Sequence, residues 1–189
     1  TKEEFLALCL LVATIPAILV GSMLHMGGFD VLLRDNIALI GTAMIIFGIV
    51  LWWSDRNNRS NKSIQDWTLK EALIIGLYQT IALIPGTSRS GITITGARLL
   101  GYTREESVRL SMLMSVPVII AAATLGAIDA AKSANFALLR DGAIAAFFAA
   151  ISAFIALALM MRWLRRTNFT PYVIYRIVFG AFLILWAYN

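Results

Sequence analysis

Apolar runs at residues 5–24, 37–53, 107–128, 143–161 and 170–188 alternate with short polar segments along the chain. At 1.5 Å per residue each run has the length of a helix that crosses a hydrocarbon core of roughly 30 Å, so each predicts a transmembrane span. Pro16 and Pro117 fall inside two of them, where a kink is tolerated because neighbouring groups take up the freed backbone. Trp52 and Trp53 close the second run, and Trp186 and Tyr188 the last, as aromatic residues do at headgroup level. Shorter polar connections lie at 26–36, with Gly27, Gly28, Asp30, Arg34 and Asp35, and at 101–106 and 129–142.

One apolar stretch breaks the pattern. Residues 71–84 number fourteen, about 21 Å as a helix, which is too short to cross. Ile84-Pro85-Gly86-Thr87-Ser88-Arg89-Ser90-Gly91-Ile92-Thr93 follows. Pro85 and Gly86 stop the first helix, and Ser88 is placed to cap a second short helix running to about Leu100. Backbone opened at membrane depth must line a cavity or be buried in protein, so residues 71–100 predict a re-entrant hairpin with a site at its tip.

Charge supports the hairpin independently. Basic residues gather at 54–68 (Arg56, Arg59, Lys62) and after the fourth span (Arg162, Arg165, Arg166), and both loops are expected to be cytoplasmic. The spans at 107–128 and 143–161 already supply the even number of crossings between them. Residues 71–100 must then return to the side they enter. The reading is an all-α polytopic membrane protein with five transmembrane helices and one re-entrant helix-loop-helix, Thr1 cytoplasmic and Asn189 on the far side.

Composition narrows the chemistry. A hydrophobic fraction of 59%, 14% charged residues and a mean hydropathy of +0.78 exclude an ordinary soluble domain. The net charge of +5 is then a topology signal and not a nucleic-acid footprint. Cys9 is the one cysteine and His25 the one histidine. No zinc site or intrachain disulfide follows from them, and His25 reads as an interfacial residue. Thr1 is no initiator methionine and residues 1–4 form no basic leader, so the beginning of the chain is expected to be missing.

All eleven acidic residues, Glu3, Glu4, Asp30, Asp35, Asp55, Asp66, Glu71, Glu105, Glu106, Asp129 and Asp141, fall in loops or at span ends. Four arginines do not. Arg89 lies at the hairpin tip, Arg98 on the returning half-helix, Arg109 near the start of the third span and Arg176 inside the last, and each is costly in lipid unless it faces a cavity or partner. At a half-helix start Arg89 adds a planar fork of donors suited to phosphate. The competing role is to cap carbonyls freed by the broken helix. Arg98 and Arg109 have a simpler alternative, snorkelling to the cytoplasmic interface, and Tyr172 and Tyr175 offer Arg176 a packing role without any ligand. Gln79 either steadies the loop or pairs between helices.

Tyr78-Gln79, Pro85-Gly86-Thr87-Ser88-Arg89-Ser90-Gly91-Ile92-Thr93-Ile94, Arg109-Leu110-Ser111 with Ser115-Val116-Pro117, and Ile174-Tyr175-Arg176 resemble the bacterial undecaprenyl pyrophosphate phosphatase family of the bacitracin-resistance type. The match runs from about Thr14 to the last span, and its P-G-x-S-R-S-G-x-T segment is highly specific. The resemblance implies hydrolysis of undecaprenyl pyrophosphate to the monophosphate carrier lipid of cell-wall synthesis, in the bacterial cytoplasmic (inner) membrane. It also implies an inverted repeat whose two re-entrant tips meet. Residues 1–53 would be the last two spans of the first repeat and 69–189 the second. A glutamate-rich motif ending in Pro-x-Ser-Ser-Thr-Gly-His, which the family carries earlier, has no counterpart here. A divalent metal, Mg²⁺ or Ca²⁺, is expected for the family, with ligands outside this chain.

Hydrolysis of a pyrophosphate needs its charge neutralised, a placed nucleophile and a stabilised leaving group. Arg89 is assigned to phosphate oxygens, with the Ser90 and Gly91 amides and the hydroxyls of Thr87, Ser88 and Ser90 completing a cradle around Gly86. Thr93 and Gln79 support it, and Arg176 is a further substrate-binding candidate. Ser88 sits where a nucleophile would, yet no histidine or carboxylate is placed to activate it, so hydrogen bonding is its expected role. A polyprenyl-phosphate or anion transporter is the rival, since broken helices in repeats are transporter architecture. A third possibility is a fragment that does not function alone.

Overall fold

The computed structural model describes residues 2–28, 33, 35–57, 61–132, 136–164 and 167–188. Asp30, Arg34, Arg59, Arg165 and Arg166, with both terminal residues, lie outside the described residues. Seven α-helices are described and no strand among these residues: α1 (Lys2–Met26), α2 (Ile37–Arg56), α3 (Leu69–Ile81), α4 (Arg89–Leu99), α5 (Arg104–Lys132), α6 (Phe136–Leu164) and α7 (Thr170–Tyr188). Four are long and apolar enough to cross a membrane, within Lys2–Met26, Ile37–Arg56, Arg140–Trp163 and Thr170–Tyr188. The described residues are all-helical, and the helix that takes up the expected span at 107–128, α5, is not among these four.

Helices run further than the apolar runs that announced them. The connection expected at 129–142 is largely taken up by the end of α5 and the start of α6, where Ala, Leu, Lys and Arg favour helix whatever their polarity. Arg104 opens α5 ahead of the expected start, with Glu105 and Glu106 in the first turn complementing the helix dipole. In the hairpin the difference has the opposite sign. α3 ends at Ile81, and Ala82, Leu83 and Ile84 continue as tight turns bonded to Gln79, Thr80 and Ile81. A residue before proline is pushed out of the α region, so the chain tightens before Pro85 and the helix stops early.

The chain forms two compact units, Thr1–Met114 with Asn168–Asn189, and Ser115–Thr167. In the first, α2 packs along α7 and α1 along α3, while α4 lies against α2 and α3. Glycine permits close crossings: a β-carbon on Gly41 would stand 2.6 Å from the Gly180 carbonyl, one on Gly180 2.7 Å from the Gly41 carbonyl, and one on Gly76 2.5 Å from the Ala13 carbonyl. Cys9, Ala13, Trp67, Ala72, Ile75, Ala97, Tyr102, Leu110 and Met114 form a buried core. The second unit contains the rest of α5 and α6, on which Phe147, Phe148 and Phe154 are exposed.

The polar segment expected as a loop at 54–68 is tied down. Ser63 and Asp66 form a capping box around a single 3₁₀ turn, Ile64–Asp66. Lys62 pairs with residues 101–103 through its backbone. Arg98 is not a snorkelling side chain: it is 3% exposed, its Nε is 3.1 Å from Asp55 Oδ1, and its Nη1 donates to the Tyr102 carbonyl at 2.7 Å. Arg104 closes on the same carboxylate with two bonds, of 2.8 and 3.0 Å. Nearby, Glu71 accepts from Lys62 (2.6 Å) and the Tyr102 hydroxyl (2.8 Å). The far end of α4 is thereby fastened to α2, α3 and α5. Arg109, by contrast, is largely exposed with only Glu106 at 3.9 Å, as the interfacial alternative expects.

Candidate active site

Gly86, at φ +90°, turns the chain on top of α2, where a β-carbon would run into the Ile40 carbonyl. Ser88 follows with φ 69° and ψ 111°, outside the usual wells of a non-glycine residue. Its Oγ accepts the Gly91 amide at 3.2 Å and caps α4 as the sequence predicts. The same Oγ lies 3.4 Å from Ser90 Oγ and 3.0 Å from the Tyr172 hydroxyl at the start of α7. The Gly91 amide, expected to face an anion, is thus already bonded within the cap. What faces outward is the serine hydroxyl pair and the side chain of Arg89.

Arg89 leaves the first turn of α4 and donates through Nε to Gln79 Oε1 (3.0 Å), with Nη2 3.4 Å from the Ser111 carbonyl. Gln79 is buried, and with its oxygen taken by Arg89 its Nε2 has no protein partner. Thr87 is buried with its Oγ1 likewise unpartnered. Thr93 does not face outward: its hydroxyl reaches the Arg89 carbonyl (2.9 Å) and Ser111 Oγ (2.7 Å), locking the first turn of α4 to α5.

Arg176 enters from α7 and is 2% exposed. Its Nη2 donates to the Gly86 carbonyl at 2.7 Å and its Nε to the Met44 carbonyl at 3.2 Å, so one guanidinium joins the loop tip to α2. The space it fills explains a second glycine, since a β-carbon on Gly91 would stand 3.2 Å from Arg176 Nη1. Among the described residues neither Arg89 nor Arg176 is in an ion pair with a carboxylate. A half-buried and a buried cation at the positive end of a helix, unanswered by acid among the described residues, favour an anion.

A family model described as "Bacitracin resistance protein BacA" matches residues 1–182. The chain belongs to this family. Relatives named "Undecaprenyl-diphosphatase" from Dinoroseobacter shibae and Ruegeria pomeroyi are 54% and 55% identical over 189 residues, covering 100% of this chain and 70% of theirs. An "Undecaprenyl-diphosphatase 1" from Rhodospirillum rubrum is 42% identical over 184 residues, covering 97% of this chain and 64% of that relative.

Around this BacA-family loop the donors are hydroxyls, an amide and two guanidiniums. A hard divalent cation takes carboxylate and carbonyl oxygens, and the described residues hold no cluster of three His, Cys, Asp or Glu. The expected Mg²⁺ or Ca²⁺ does not fit these residues. Ser88 has hydroxyls and an amide around its Oγ but no base. The arrangement can bind and neutralise a phosphoryl group. Tyr172 and the carbonyls of Ile40 and Met44 escaped the sequence reading as parts of the site. A tyrosine at the start of a distant span was the one signal available; backbone carbonyls carry none.

Proposed function

We propose that this protein hydrolyses undecaprenyl pyrophosphate to undecaprenyl phosphate and inorganic phosphate, returning carrier lipid to cell-wall synthesis in the bacterial inner membrane. The observation that carries the reading is Arg89 at the capped start of α4, half-buried and without a carboxylate partner among the described residues, in a chain over half identical to undecaprenyl-diphosphatases. Arg89 takes the phosphoryl oxygens through the guanidinium face that Gln79 and Ser111 leave open. Ser88 and Ser90 add hydroxyl donors, and Gly86, Thr87 and Gly91 shape the loop around them. Gln79 and Thr93 hold Arg89 in place, and Arg176 adds positive charge from α7. A divalent ion used in the reaction would be held by ligands other than this loop.

The same proposal includes the topology. Five spans and a re-entrant hairpin formed by α3 and α4 make residues 69–189 one repeat and residues 1–53 the end of another. Transport of the lipid uses the broken helix equally well but does not account for relatives named as diphosphatases. Phosphate release separates the two, because a carrier releases none. The test is release of phosphate from undecaprenyl pyrophosphate by the chain in detergent, with and without Mg²⁺ or Ca²⁺, beside Arg89→Ala. Turnover lost in the variant is the expected result; turnover that survives it removes Arg89 from the reaction.

A further inference from the structure

α7 presents two different faces to its surroundings. Tyr172, Tyr175, Phe179, Phe182 and Trp186 recur at alternating spacings of three and four and make one exposed aromatic stripe. Ile174, Val178, Ala181 and Leu185 make a neighbouring exposed aliphatic one. The rings of the first stripe are in register: centroids are 5.8 Å apart for Tyr175 and Phe179, 6.1 Å for Phe179 and Phe182, and 6.2 Å for Phe182 and Trp186. Its head is at the candidate site, where the Tyr172 hydroxyl meets Ser88 Oγ and the Arg176 guanidinium lies 5.8 Å from the Tyr172 ring.

We propose that this stripe is the binding track for the prenyl tail of the substrate, continuous with the phosphate site through Tyr172. The inference rests on the reading of the substrate as a polyprenyl diphosphate. A tail whose headgroup is held at Ser88 and Arg89 must leave along an apolar surface, and the stripe begins there. From Tyr175 to Trp186 it extends about 17 Å at the helical rise of 1.5 Å per residue. Methyl-branched, unsaturated isoprene units lie flat on ring faces, which gives the track a preference for prenyl over straight acyl chains. A two-unit chain, about 10 Å long, ends before Phe179; a long one covers the whole stripe.

The test compares binding of geranyl phosphate and undecaprenyl phosphate to the full chain in detergent by native mass spectrometry. Four proteins are needed: the natural chain, Phe179→Leu with Phe182→Leu, Arg89→Ala, and, as a control on exposed aromatics elsewhere, Phe147→Leu with Phe148→Leu. The first pair should lower affinity for undecaprenyl phosphate by about five- to tenfold and leave geranyl phosphate unchanged, from the worth of aromatic contacts. The control pair should change neither. Undecaprenyl affinity untouched by the first pair, or lowered equally by the control, overturns the track. Geranyl phosphate binding that Arg89→Ala abolishes reports the headgroup reading alone, and a natural chain that binds neither phosphate overturns both. Helicity by circular dichroism checks that each variant is folded.

Discussion

Both ends of α4 hold an arginine at least half out of solvent, and only one end supplies an acid. At the C-terminal end Arg98 shares Asp55 with Arg104, in a cluster that joins four segments of chain. At the N-terminal end Arg89 finds a glutamine oxygen and a distant carbonyl, and Arg176 two carbonyls. Helix dipoles sharpen the contrast: a cation is favoured at the C-terminal end and adds to unanswered positive charge at the other. The paired end is built to hold, and the unpaired end is poised to bind. A buried arginine is therefore not itself a mark of function; what answers its charge decides.

The largest effect should come from removing the acid. Asp55→Asn takes from buried Arg98 and its neighbour Arg104 the carboxylate they share, and breaking such a pair costs about 3–5 kcal/mol. A fall in thermal stability of that size, followed by circular dichroism in detergent, is expected; little change would mean the cluster is not the fastening it looks like. The converse substitution adds an acid at the other end. Gln79→Glu places a carboxylate where Arg89 Nε now meets an amide oxygen 3.0 Å away, turning the site into a copy of the Arg98 end. Phosphate release should drop about 100-fold or more, the scale of losing one transition-state donor, while thermal stability stays level or rises. Retained turnover would mean that Arg89 need not be unpaired.

Why the two ends were not equally legible follows from where their partners come from. The Arg89 end is local: Pro85, Gly86, the Ser88 cap and Arg89 lie within five consecutive positions, so break, cap and charge read directly from sequence. Four of the five apolar runs likewise announced helices long and apolar enough to cross a membrane, though α5 and α6 outran their apolar cores because helix propensity continues into polar flanks. Asp55, forty-three residues from Arg98, looked like an ordinary loop charge, since nothing in the spacing of either residue says that α2 ends beside the end of α4. The carbonyls that receive Arg176 are invisible to sequence for the same reason.

Acid should separate the two ends. Burial acts to raise the Glu71 carboxyl, but hydrogen bonds from Lys62, Tyr102 and Thr68 together with the Lys62 charge outweigh it and hold it below its ordinary value. Burial and the neighbouring Glu71 carboxylate push the Tyr102 phenol up. A carboxyl depressed in the folded state contributes stability above its unfolded value, about 4.3 for glutamate. That contribution is lost as pH falls through the lower folded value. Thermal stability should decline over that acid range and do so less in Glu71→Gln, while phosphate binding per folded molecule should not track Glu71. A decline that is the same in both proteins would place the acid-sensitive group elsewhere.

The smallest effect concerns the hydroxyl that joins α7 to the cap. Tyr172→Phe keeps the ring under the Arg176 guanidinium and the head of the aromatic stripe, and removes only the 3.0 Å contact with Ser88 Oγ. A neutral hydrogen bond of this kind is worth about 0.5–1.5 kcal/mol, so phosphate release should fall about two- to tenfold. The division of that loss is informative. If Tyr172 orients Ser88 toward the reacting phosphoryl group, kcat falls and KM for the long-chain substrate holds, because the stripe is intact. If the hydroxyl only fastens α7 to the loop, thermal stability falls by a similar free energy and kcat per folded molecule does not. Ser88 already sits in a costly backbone conformation with its Oγ committed to the Gly91 amide. A third contact on the same oxygen is better suited to aiming it than to holding two helices together, and the first outcome is the one expected.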